Sequence, residues 1–397
     1  MMNKVRDVIV IGAGIIGLAT AYYLSRENKR VLVLEKEEIG AGASGACDDM
    51  ILLQSKKPGI LLEMALESLN MYKNLSDELE TDLEFQNLGG MILIETEEQL
   101  SIMEEFVASQ NKHGLDVEIL DKETVIKKQP FVSRRVIAST YSSIDSQVNP
   151  FRVMQGFIKK GQELGMEIRK HLPVKRISMT KTGLWEVETD NGEKFSSKAV
   201  VNAAGAWAPE ICKLVEMDIP IRPKRGQIAI TEQIPPLGET NIWDAEYIVA
   251  KLNPFMAKRR KKILAELGIG LSFTRTHDGN YFIGGTREFV GYDKGTTIEG
   301  ISNIVTQALR YFPILKNVSI IRTFGGLRPA SLDGKPFLGE IEGLNGFFVA
   351  AGHEGDGIAL APVTGKLMAQ LITGQKPFLP LEELAPTKSR GVVMRKN

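Results

Sequence analysis

The sequence predicts an α/β fold in which one discontinuous domain is interleaved with a second, mixed and largely antiparallel β-sheet domain. Three observations support this prediction. A strand, a glycine turn and a helix open the chain at residues 7–26. Strands that run into small-residue turns recur at residues 198–205 and 346–358, and mixed strand-like segments fill the intervals. The 397 residues are enough for two or three domains with a sizeable core.

The N-terminal unit reads DVIVIGAGIIGLATAYYLSRENKRVLVLE over residues 7–35. Residues 8–11 form a short β-branched run, which is typical of a buried parallel strand. Gly12, Gly14 and Gly17 follow as G-x-G-x-x-G. The first glycine permits a sharp turn, the second admits a pyrophosphate, and the third lets the helix pack against the strand. The N–H groups and positive dipole end of that helix face the phosphates.

An acidic residue completes this unit. The second strand, residues 31–34, ends at Glu35, whose carboxylate is placed to accept both ribose hydroxyls of an adenosine half. An acid here argues against a 2′-phosphate and therefore against NADP, but it does not separate NAD from FAD. The complete context predicts a Rossmann-like dinucleotide site, and the alternative is a glycine-rich turn without a ligand.

Composition and charge indicate which binding partners and which cellular compartment to expect. The 49 basic residues balance the 49 acidic residues, so the net charge gives no reason to expect nucleic-acid binding. The two cysteines, Cys47 and Cys212, favour a reducing cytoplasm and are too few for an all-cysteine iron–sulfur cluster, and we predict no metal site. The first strand begins within about seven residues, which leaves no room for a signal peptide.

Further elements are predicted in order along the chain. Amphipathic periodicity predicts helices over residues 59–80, 97–113, 150–164, 299–312 and 357–373. Strands are predicted over residues 91–94, 175–179, 185–189, 198–205, 226–231, 270–276, 281–286 and 346–352, with a hairpin turn at 277–280. The basic run KRRKK at residues 258–262 is interpreted as a solvated helix face, with a partner-docking or lid role as the alternative.

This order of segments predicts the domain limits. The nucleotide-binding domain is expected in residues 1–85, 145–222 and 325–385, and the second domain in residues 86–144 and 223–324. Residues 386–397 are interpreted as a polar tail because they carry Lys388, Arg390, Arg395 and Lys396.

Three later segments favour a flavin. Residues 200–207, VVNAAGAW, end a strand in small residues, which lets the backbone pass close to a bulky ligand or form a tightly packed turn. Residues 325–330, GGLRPA, hold Arg328 where its guanidinium could bind a carboxylate with two hydrogen bonds or form a structural ion pair. Residues 346–358 lead a strand into a helix N-terminus, which suits the anionic N1–C2=O edge of a reduced flavin.

Together these motifs resemble the D-amino acid oxidase-type flavoproteins: glycine oxidase, sarcosine oxidase and its β-subunit, and the FAD subunits of proline or hydroxyproline dehydrogenases. The resemblance spans residues 5–375 and lies in the ordered set GAGIIG, ASGA, VNAAGAWA, GGLRPASLDGKPFLG and AAGHEGDGIALAPVTG. The stretches ASGACDDMILLQSKKPG and GIGLSFTRTHDGNYFIGGTREF are most similar to the catalytic subunits of opine oxidase, hydrogen cyanide synthase and hydroxyproline dehydrogenase relatives.

The resemblance implies FAD as the cofactor and assigns its contacts. Binding is expected to be non-covalent, because no cysteine lies near residues 324–330, where monomeric sarcosine oxidases attach their flavin. The residues implied to hold FAD are Gly12, Gly14, Ile15, Ile16, Gly17, Glu35, Lys36, Ala43, Ser44, Gly45, Ala46, Cys47, Val174, Ala204, Gly205, Trp207, Gly326, Arg328, Gly352, His353, Gly355, Asp356, Gly357 and Ile358. Gly355 stands where glycine oxidases carry a second arginine, so the substrate pocket is not expected to match theirs.

The implied reaction is oxidation of an amino-acid C–N bond by hydride transfer to the flavin, which gives an imine. Arg328 is implied to clamp the substrate carboxylate, and Met50 to line the substrate side. His353 and Glu354 are candidates to accept a proton or hold the amine, with a structural role as the alternative for His353.

The expected substrate is a D-amino or imino acid, with hydroxyproline or proline first. The chain is expected to be the catalytic subunit of a hetero-oligomeric dehydrogenase, whose partner subunit accepts electrons through iron–sulfur or a second flavin. Three alternatives stay open: an oxygen-using glycine or sarcosine oxidase, an NAD-dependent dehydrogenase, and a non-catalytic flavin-binding subunit.

Overall fold

The computed structural model describes residues 5–395, apart from the side chain of residue 254. Its helices are α1 Ile15–Arg26, α2 Ile60–Leu79, α3 Glu97–Asn111, α4 Lys122–Lys128, α5 Pro150–Glu163, α6 Ala208–Lys213, α7 Ala245–Leu252, α8 Pro254–Arg259, α9 Lys262–Glu266, α10 Ile298–Tyr311 and α11 Gly357–Ile372. The helices predicted from the sequence are present, with bounds that differ by at most two residues. None of the helices in the described part of the chain is long and apolar enough to cross a membrane.

The strands alternate with these helices along the chain. They are β1 Arg6–Ile11, β2 Val31–Leu34, β3 Met50–Ile51, β4 Gly90–Ile94, β5 Glu118–Asp121, β6 Ala138–Ser142, β7 Ser146–Gln147, β8 Glu167–Arg169, β9 Val174–Met179, β10 Trp185–Thr189, β11 Lys194–Asn202, β12 Met217–Asp218, β13 Ile221–Thr231, β14 Asn241–Asp244, β15 Ser272–Arg275, β16 Tyr281–Gly284, β17 Ile320–Ser331, β18 Phe337–Glu340, β19 Phe347–Ala351 and β20 Val393–Met394.

One sheet contains the N-terminal unit and is mainly parallel. Its strands run in the order β18-β19-β11-β1-β2-β8, and β10 and β9 extend it from β11. The neighbours from β19 to β8 are parallel, whereas β18 joins antiparallel at the edge. Val10 and Val33 pack into the core beneath α1 and α11, and Ile9 and Leu32 pack into the core on the opposite face. Both faces are therefore buried, which explains the continuous apolar runs.

The second sheet is mixed and largely antiparallel. Its strands run β17-β13-β16-β15-β14-β4-β6-β5, and only the β14–β4 neighbours among them are parallel. Met91 and Leu93 pack on one face while Ile92 and Ile94 pack on the other, as the alternation of side chains along a strand requires. The predicted α/β fold with a second, largely antiparallel sheet is confirmed.

The longest strand pair corrects part of the sequence interpretation. β13 pairs antiparallel with β17 from Ile221 opposite Ser331 to Thr231 opposite Ile320. The strand predicted at 226–231 therefore begins earlier, and the glycine-rich segment 325–330 is continuous strand. The domain limits predicted near residues 222 and 325 both fall inside this strand pair, because its hydrogen-bonded ladder extends beyond the motif glycines. The domain division itself stays a prediction.

The C-terminal segment docks on the fold over its described part. β20 pairs with β12, and Arg390 makes an ion pair with Asp333 at 2.8 Å while its guanidinium lies 3.9 Å from the Phe337 ring centre. The segment interpreted as a polar tail is therefore held by pairing and by charge up to residue 395. Lys396 lies outside the described residues.

The basic run at 258–262 is not one helix face. α8 ends at Arg259 and α9 begins at Lys262, so the run spans a break between two short helices. Arg259 pairs with Glu98 at 2.7 Å, and Arg260 is 8% exposed and pairs with Glu246 at 3.3 Å. Lys258, Arg259, Lys261 and Lys262 are exposed, so the run is solvated, but it does not form one helix face, and the docking or lid alternative stays a prediction.

Helices α1 and α11 cover one face of the mainly parallel sheet and contact each other closely. A Cβ atom at Gly365 would lie 2.6 Å from the carbonyl carbon of Ala19. Both residues are fully buried. The two helices can approach this closely only because residue 365 has no side chain.

Replacing Gly365 with valine should therefore lower the free energy of unfolding by about 2–3 kcal/mol, because the two helix backbones must move apart. Urea titration followed by circular dichroism measures this change. Lys366→Val, at the neighbouring exposed position of α11, introduces the same β-branched residue and should cost less than about 1 kcal/mol. Equal losses in the two variants would contradict the packing argument.

Candidate active site

A large cavity opens at the carboxyl ends of β1, β2 and β11 and reaches β17 in the second sheet. Ligands of doubly wound sheets bind at this edge of the strands. Most of the residues predicted to hold the cofactor or substrate line it: Gly12, Gly14, Ile15, Ile16, Glu35, Lys36, Ala43, Ser44, Ala46, Cys47, Val174, Ala204, Gly205, Trp207, Gly326, Arg328, His353, Glu354, Gly355, Gly357 and Ile358.

Two predicted glycines serve packing instead of lining the cavity. A Cβ atom at Gly17 would lie 2.0 Å from the Gly12 carbonyl oxygen, so Gly17 lets α1 close onto the turn. A Cβ atom at Gly45 would lie 2.5 Å from the Gly40 carbonyl oxygen. These positions require glycine because protein backbone, not ligand, occupies the space beside them.

Three further predicted residues also lie outside the cavity wall. Gly352 has φ +90° and forms the turn after β19. The carboxylate of Asp356 makes an ion pair with Lys56 at 2.7 Å. Met50 is 8% exposed and packs into the core of the second sheet, so the role predicted for it at the substrate side is corrected.

The first turn of the Rossmann-like unit has the predicted geometry. Gly12 has φ +111°, and a Cβ atom there would lie 2.6 Å from the Ala203 carbonyl oxygen. Any other residue would be strained and would clash with the end of β11. The Ser44 hydroxyl accepts a hydrogen bond from the Ile15 N–H at 3.0 Å, which ties residues 43–45 to the start of α1.

The Glu35 carboxylate is held rigidly at the end of β2. One oxygen accepts the Ala13 N–H at 2.8 Å and the other accepts the Glu37 N–H at 2.8 Å. Each carboxylate oxygen has a second lone pair that remains free for a hydroxyl donor. This arrangement suits the two hydroxyls of a ribose, as the sequence predicts.

Trp207 forms one wall of the cavity between aromatic and cationic neighbours. Its ring stacks on Tyr292 with the ring centres 5.6 Å apart, and Lys36 Nζ lies 3.9 Å from the ring centre. The sequence identifies Trp207 and Lys36 as site residues. It gives no signal for Tyr292, which lies in the loop between β16 and α10.

The start of α11 closes the opposite end of the cavity. Gly357 and Ile358 line the wall, and no side chain accepts a hydrogen bond at the N-cap position, Asp356. The Tyr72 hydroxyl donates to the Ile358 carbonyl oxygen at 2.6 Å and so fixes the first turn. The N–H groups of this turn carry the positive end of the helix dipole towards the cavity.

Arg328 forms no ion pair among residues 5–395, although the charges of Asp48 and Glu354 act on it through space. It is partly buried, it lines the cavity, and Nη1 donates to the Thr286 carbonyl oxygen at 2.9 Å. Among residues 5–395, no carboxylate lies within ion-pair distance of its guanidinium. Burial and the nearby Arg287 lower the pKa of Arg328, so the group gains from binding an anion.

Glu354 and Lys224 form an ion pair beside Arg328. The two side chains are 23% and 16% exposed. Burial raises the pKa of Glu354, but the charges of Lys224 and Lys251 outweigh it and hold the pKa below its usual value. Glu354 therefore stays ionised and can attract a substrate ammonium, although it is a weak proton acceptor.

His353 is a weak candidate for the proton acceptor that the sequence suggests. It is 4% exposed, and its Nε2 lies 3.1 Å from the Thr364 hydroxyl. Burial lowers the pKa of His353 to about 3, so the imidazole is neutral and weakly basic at neutral pH. Its burial and its contact with Thr364 favour the structural alternative drawn from the sequence.

The loop after residue 45 carries further acidic groups. Asp48 lines the cavity on the Arg328 side. Burial and the neighbouring Asp48 raise the pKa of Asp49, and burial raises the pKa of the Cys47 thiol. Cys47 is therefore a protonated thiol at neutral pH.

Several site residues carry no motif that sequence reasoning could use. Gly226 is required because a Cβ atom there would lie 2.0 Å from Arg328 Nη1. Arg287 stacks on Tyr247, with the guanidinium carbon 3.7 Å from the ring centre, beside the Arg328 cluster. Lys224 lies opposite Arg328 in the β13–β17 register. The β13–β17 pairing brings Lys224 and Gly226 to Arg328, and tertiary packing brings Arg287 and Tyr247.

These observations fit FAD. The glycine turn and Ser44 suit a pyrophosphate, Glu35 suits a ribose, and the uncapped start of α11 suits the anionic edge of a flavin. Arg328 then lies at the flavin end of the cavity, where a substrate carboxylate can reach it.

Comparison with known proteins agrees with this reading of the site. Residues 7–371 match the family model described as FAD dependent oxidoreductase, DAO. The chain is 28% identical to hydrogen cyanide synthase subunit HcnC of Pseudomonas aeruginosa, over 97% of this chain and 96% of the relative. The structure of glycine oxidase from Geobacillus kaustophilus matches with a TM-score of 0.86 at 25% identity, over 96% and 98% of the two chains. That of L-proline dehydrogenase from P. horikoshii matches with a TM-score of 0.86 at 27% identity, over 98% and 99%.

Burial of neutral His353 predicts a pH-dependent stability. The folded pKa of about 3 lies below the usual 6.5, so between these values only the unfolded chain binds the proton. Stability is therefore complete above pH 6.5 and falls as the pH drops towards 3. Compared with His353→Gln, the wild type should lose about 2 kcal/mol more between pH 7 and pH 5, at about 1.4 kcal/mol per pH unit.

Urea titrations at the two pH values and a fixed FAD concentration measure this difference. His113→Gln removes an exposed histidine and should keep the wild-type slope. Parallel slopes for wild type and His353→Gln would show that His353 is protonated in the folded state.

Proposed function

Because the chain belongs to the DAO family of FAD-dependent oxidoreductases, we propose that it oxidises the C–N bond of a secondary amino acid, with proline or hydroxyproline as the first candidates. The observation that carries this proposal is the Arg328 guanidinium, which faces the flavin end of the cavity without a carboxylate partner among residues 5–395. A substrate carboxylate is the complement that this cation lacks.

Arg328 contributes orientation. Its bond to the Thr286 carbonyl engages Nη1, and the other N–H groups of the guanidinium remain available for a two-point contact with a carboxylate. Held in this way, the substrate keeps its reacting carbon in one position and orientation, which lowers the entropic part of the activation free energy. FAD, when bound, supplies the hydride acceptor.

The acidic side chains at the flavin end of the cavity are proposed to bind the substrate amine. Glu354 is ionised beside Lys224, and Asp48 lines the same side of the cavity. We assign Glu354 to holding the substrate ammonium by charge. No proton-accepting role falls to His353, because burial holds its pKa at about 3.

Space beside Arg328 favours a substrate larger than glycine. Gly355 is exposed at the cavity, and a Cβ atom there would lie 3.6 Å from Arg328 Nε. No side chain at position 355 therefore competes for the volume that a pyrrolidine ring would need. The similarity to L-proline dehydrogenase over nearly the whole chain supports the same choice.

The electron acceptor belongs to the proposal as well. We propose that a partner subunit carrying iron–sulfur or a flavin takes the electrons in a hetero-oligomer in the cytoplasm. The similarity to HcnC, whose name describes it as a subunit, supports this assignment. The equally good structural match to glycine oxidase supports the alternative, in which oxygen accepts the electrons.

Replacing Arg328 with methionine should reduce kcat/KM for the amino acid by about 10²–10³-fold, because the carboxylate loses a charged partner in a desolvated site. Steady-state rates with an artificial dye measure the loss, and the FAD content should be retained. The control, Arg322→Met, changes an exposed arginine on the same strand and should behave as wild type. Equal activity in both variants would remove Arg328 from the substrate site.

Anaerobic mixing with proline, hydroxyproline, glycine and sarcosine, each supplied separately, should bleach the flavin fastest with one of the two cyclic amino acids. In air, the isolated chain should release peroxide far more slowly than it reduces a dye. Brisk peroxide release would support the oxidase alternative, and bleaching by none of the four would contradict the substrate assignment. After acid precipitation the yellow colour should stay in solution, because FAD is expected to be bound non-covalently.

A further inference from the structure

Lys56 is a buried cation to which the proposed reaction gives no role. Its side chain is 3% exposed. Its Nζ donates to Asp356 Oδ1 at 2.7 Å and to the Leu52 carbonyl oxygen at 2.8 Å. Lys56 lies outside the described wall of the cavity, but its partner, Asp356, is the residue immediately before α11.

The Asp356 side chain does not do what an aspartate usually does at this position. Aspartate is among the preferred N-cap residues because its carboxylate accepts an N–H group of the first helical turn. Asp356 occupies the N-cap of α11 and accepts no such hydrogen bond: its φ of −101° and ψ of 3° lie outside the extended region that capping residues adopt, and its carboxylate contacts Lys56. Gly357 and Ile358, the first residues of the helix, therefore keep their N–H groups free of a side-chain acceptor where they line the cavity.

Lys56 is itself held from the opposite side. The Gln110 side-chain amide donates to the carbonyl oxygens of Lys56 at 2.8 Å and of Gln54 at 2.9 Å. Gln54 in turn donates to buried Asp145 at 2.6 Å, and the Leu53 N–H donates to the same carboxyl group at 2.7 Å. Gln54 also donates to the Gly90 carbonyl oxygen of β4 at 2.7 Å, so residues 52–56 are anchored to the second sheet and Asp356 meets Lys56 at a fixed segment.

We propose that Lys56 is a positioning residue for the cofactor: by pairing with the Asp356 carboxylate it holds residue 356 in this non-capping conformation, and so keeps the N–H groups and the positive dipole end of α11 available to the anionic edge of FAD. A carboxylate on these N–H groups would occupy the donors and offset the dipole. The inference rests on FAD as the cofactor and does not depend on which amino acid is oxidised.

The first test compares Lys56→Met with Lys57→Met, which changes the neighbouring exposed lysine. In the reconstituted holoenzyme, Lys56→Met should raise the Kd for FAD about tenfold and shift the midpoint potential of the bound flavin to a more negative value, because the reduced anionic form loses stabilisation. Lys57→Met should match the wild type in both. If the two variants agree with each other in Kd and potential, the inference is wrong.

The second test separates the withheld carboxylate from the charge of Lys56 itself. In Lys56→Met/Asp356→Ala no carboxylate is left to cap the helix, so the Kd and the potential should return towards wild type. A double variant that stays as impaired as Lys56→Met would show that Lys56 acts by its own charge or by packing, and would overturn the inference.

Two further measurements cover the remaining outcomes. If Lys56→Met does not fold, Asp356→Ala alone decides: it should bind FAD at least as tightly as wild type, and a tenfold weaker binding would contradict the inference. Because the midpoint potential is measured by chemical reduction with a reference dye, the comparison stands even when no amino acid reduces the flavin. Failure of the proposed substrate and failure of this inference are therefore distinguishable.

Discussion

The antiparallel pairing of β13 with β17 is the interaction on which the geometry of the site depends. Its register sets Lys224 opposite Arg328 and Gly226 opposite Gly326. Glycine at these two paired positions leaves room for the Arg328 guanidinium on one side and for the backbone of Ala46 on the other, where Cβ atoms would lie 2.0 Å and 2.7 Å away. A hydrogen-bonded ladder fixes the backbone of residue 328, and the guanidinium reaches the end of the cofactor cavity, where Nη1 donates to the Thr286 carbonyl oxygen.

Buried charges in this protein fall into two groups, which differ in how fully they are partnered. Asp145 accepts hydrogen bonds from Leu53 and Gln54, and burial still raises its pKa to about 6, as expected of a carboxyl group that links two parts of the fold. Within the described part of the chain, Arg328 has one hydrogen-bond partner, the Thr286 carbonyl oxygen, and an open cavity beside it. Satisfied polar groups hold the structure together, whereas the incompletely satisfied cation and the uncapped start of α11 define where an anionic ligand binds.

Sequence reasoning succeeded where a motif is complete within a short segment. The turn at Gly12, the carboxylate of Glu35 and the start of α11 all lie where the sequence predicts them, because strand, turn and helix occur consecutively in the chain. It is less informative where a glycine can have two physical meanings. A Cβ atom at Gly45 would lie 2.5 Å from the Gly40 carbonyl oxygen, so packing alone requires glycine there, and its contact with FAD stays a prediction. The resemblance alone implies a place for Met50 at the substrate side, whereas the structure buries it in the core of the second sheet.

The sequence by itself determined the α/β fold, the dinucleotide-binding unit and the likeness to an FAD-dependent family, because local periodicity and glycine spacing encode short-range geometry. The tertiary structure alone decided which charges lack partners. Burial among distant segments makes His353 neutral, Thr286 supplies the carbonyl oxygen that Arg328 contacts, and Lys56, 300 residues away in the chain, pairs with Asp356. Burial and pairing are properties of neighbours in space, and no spacing along the chain reports them.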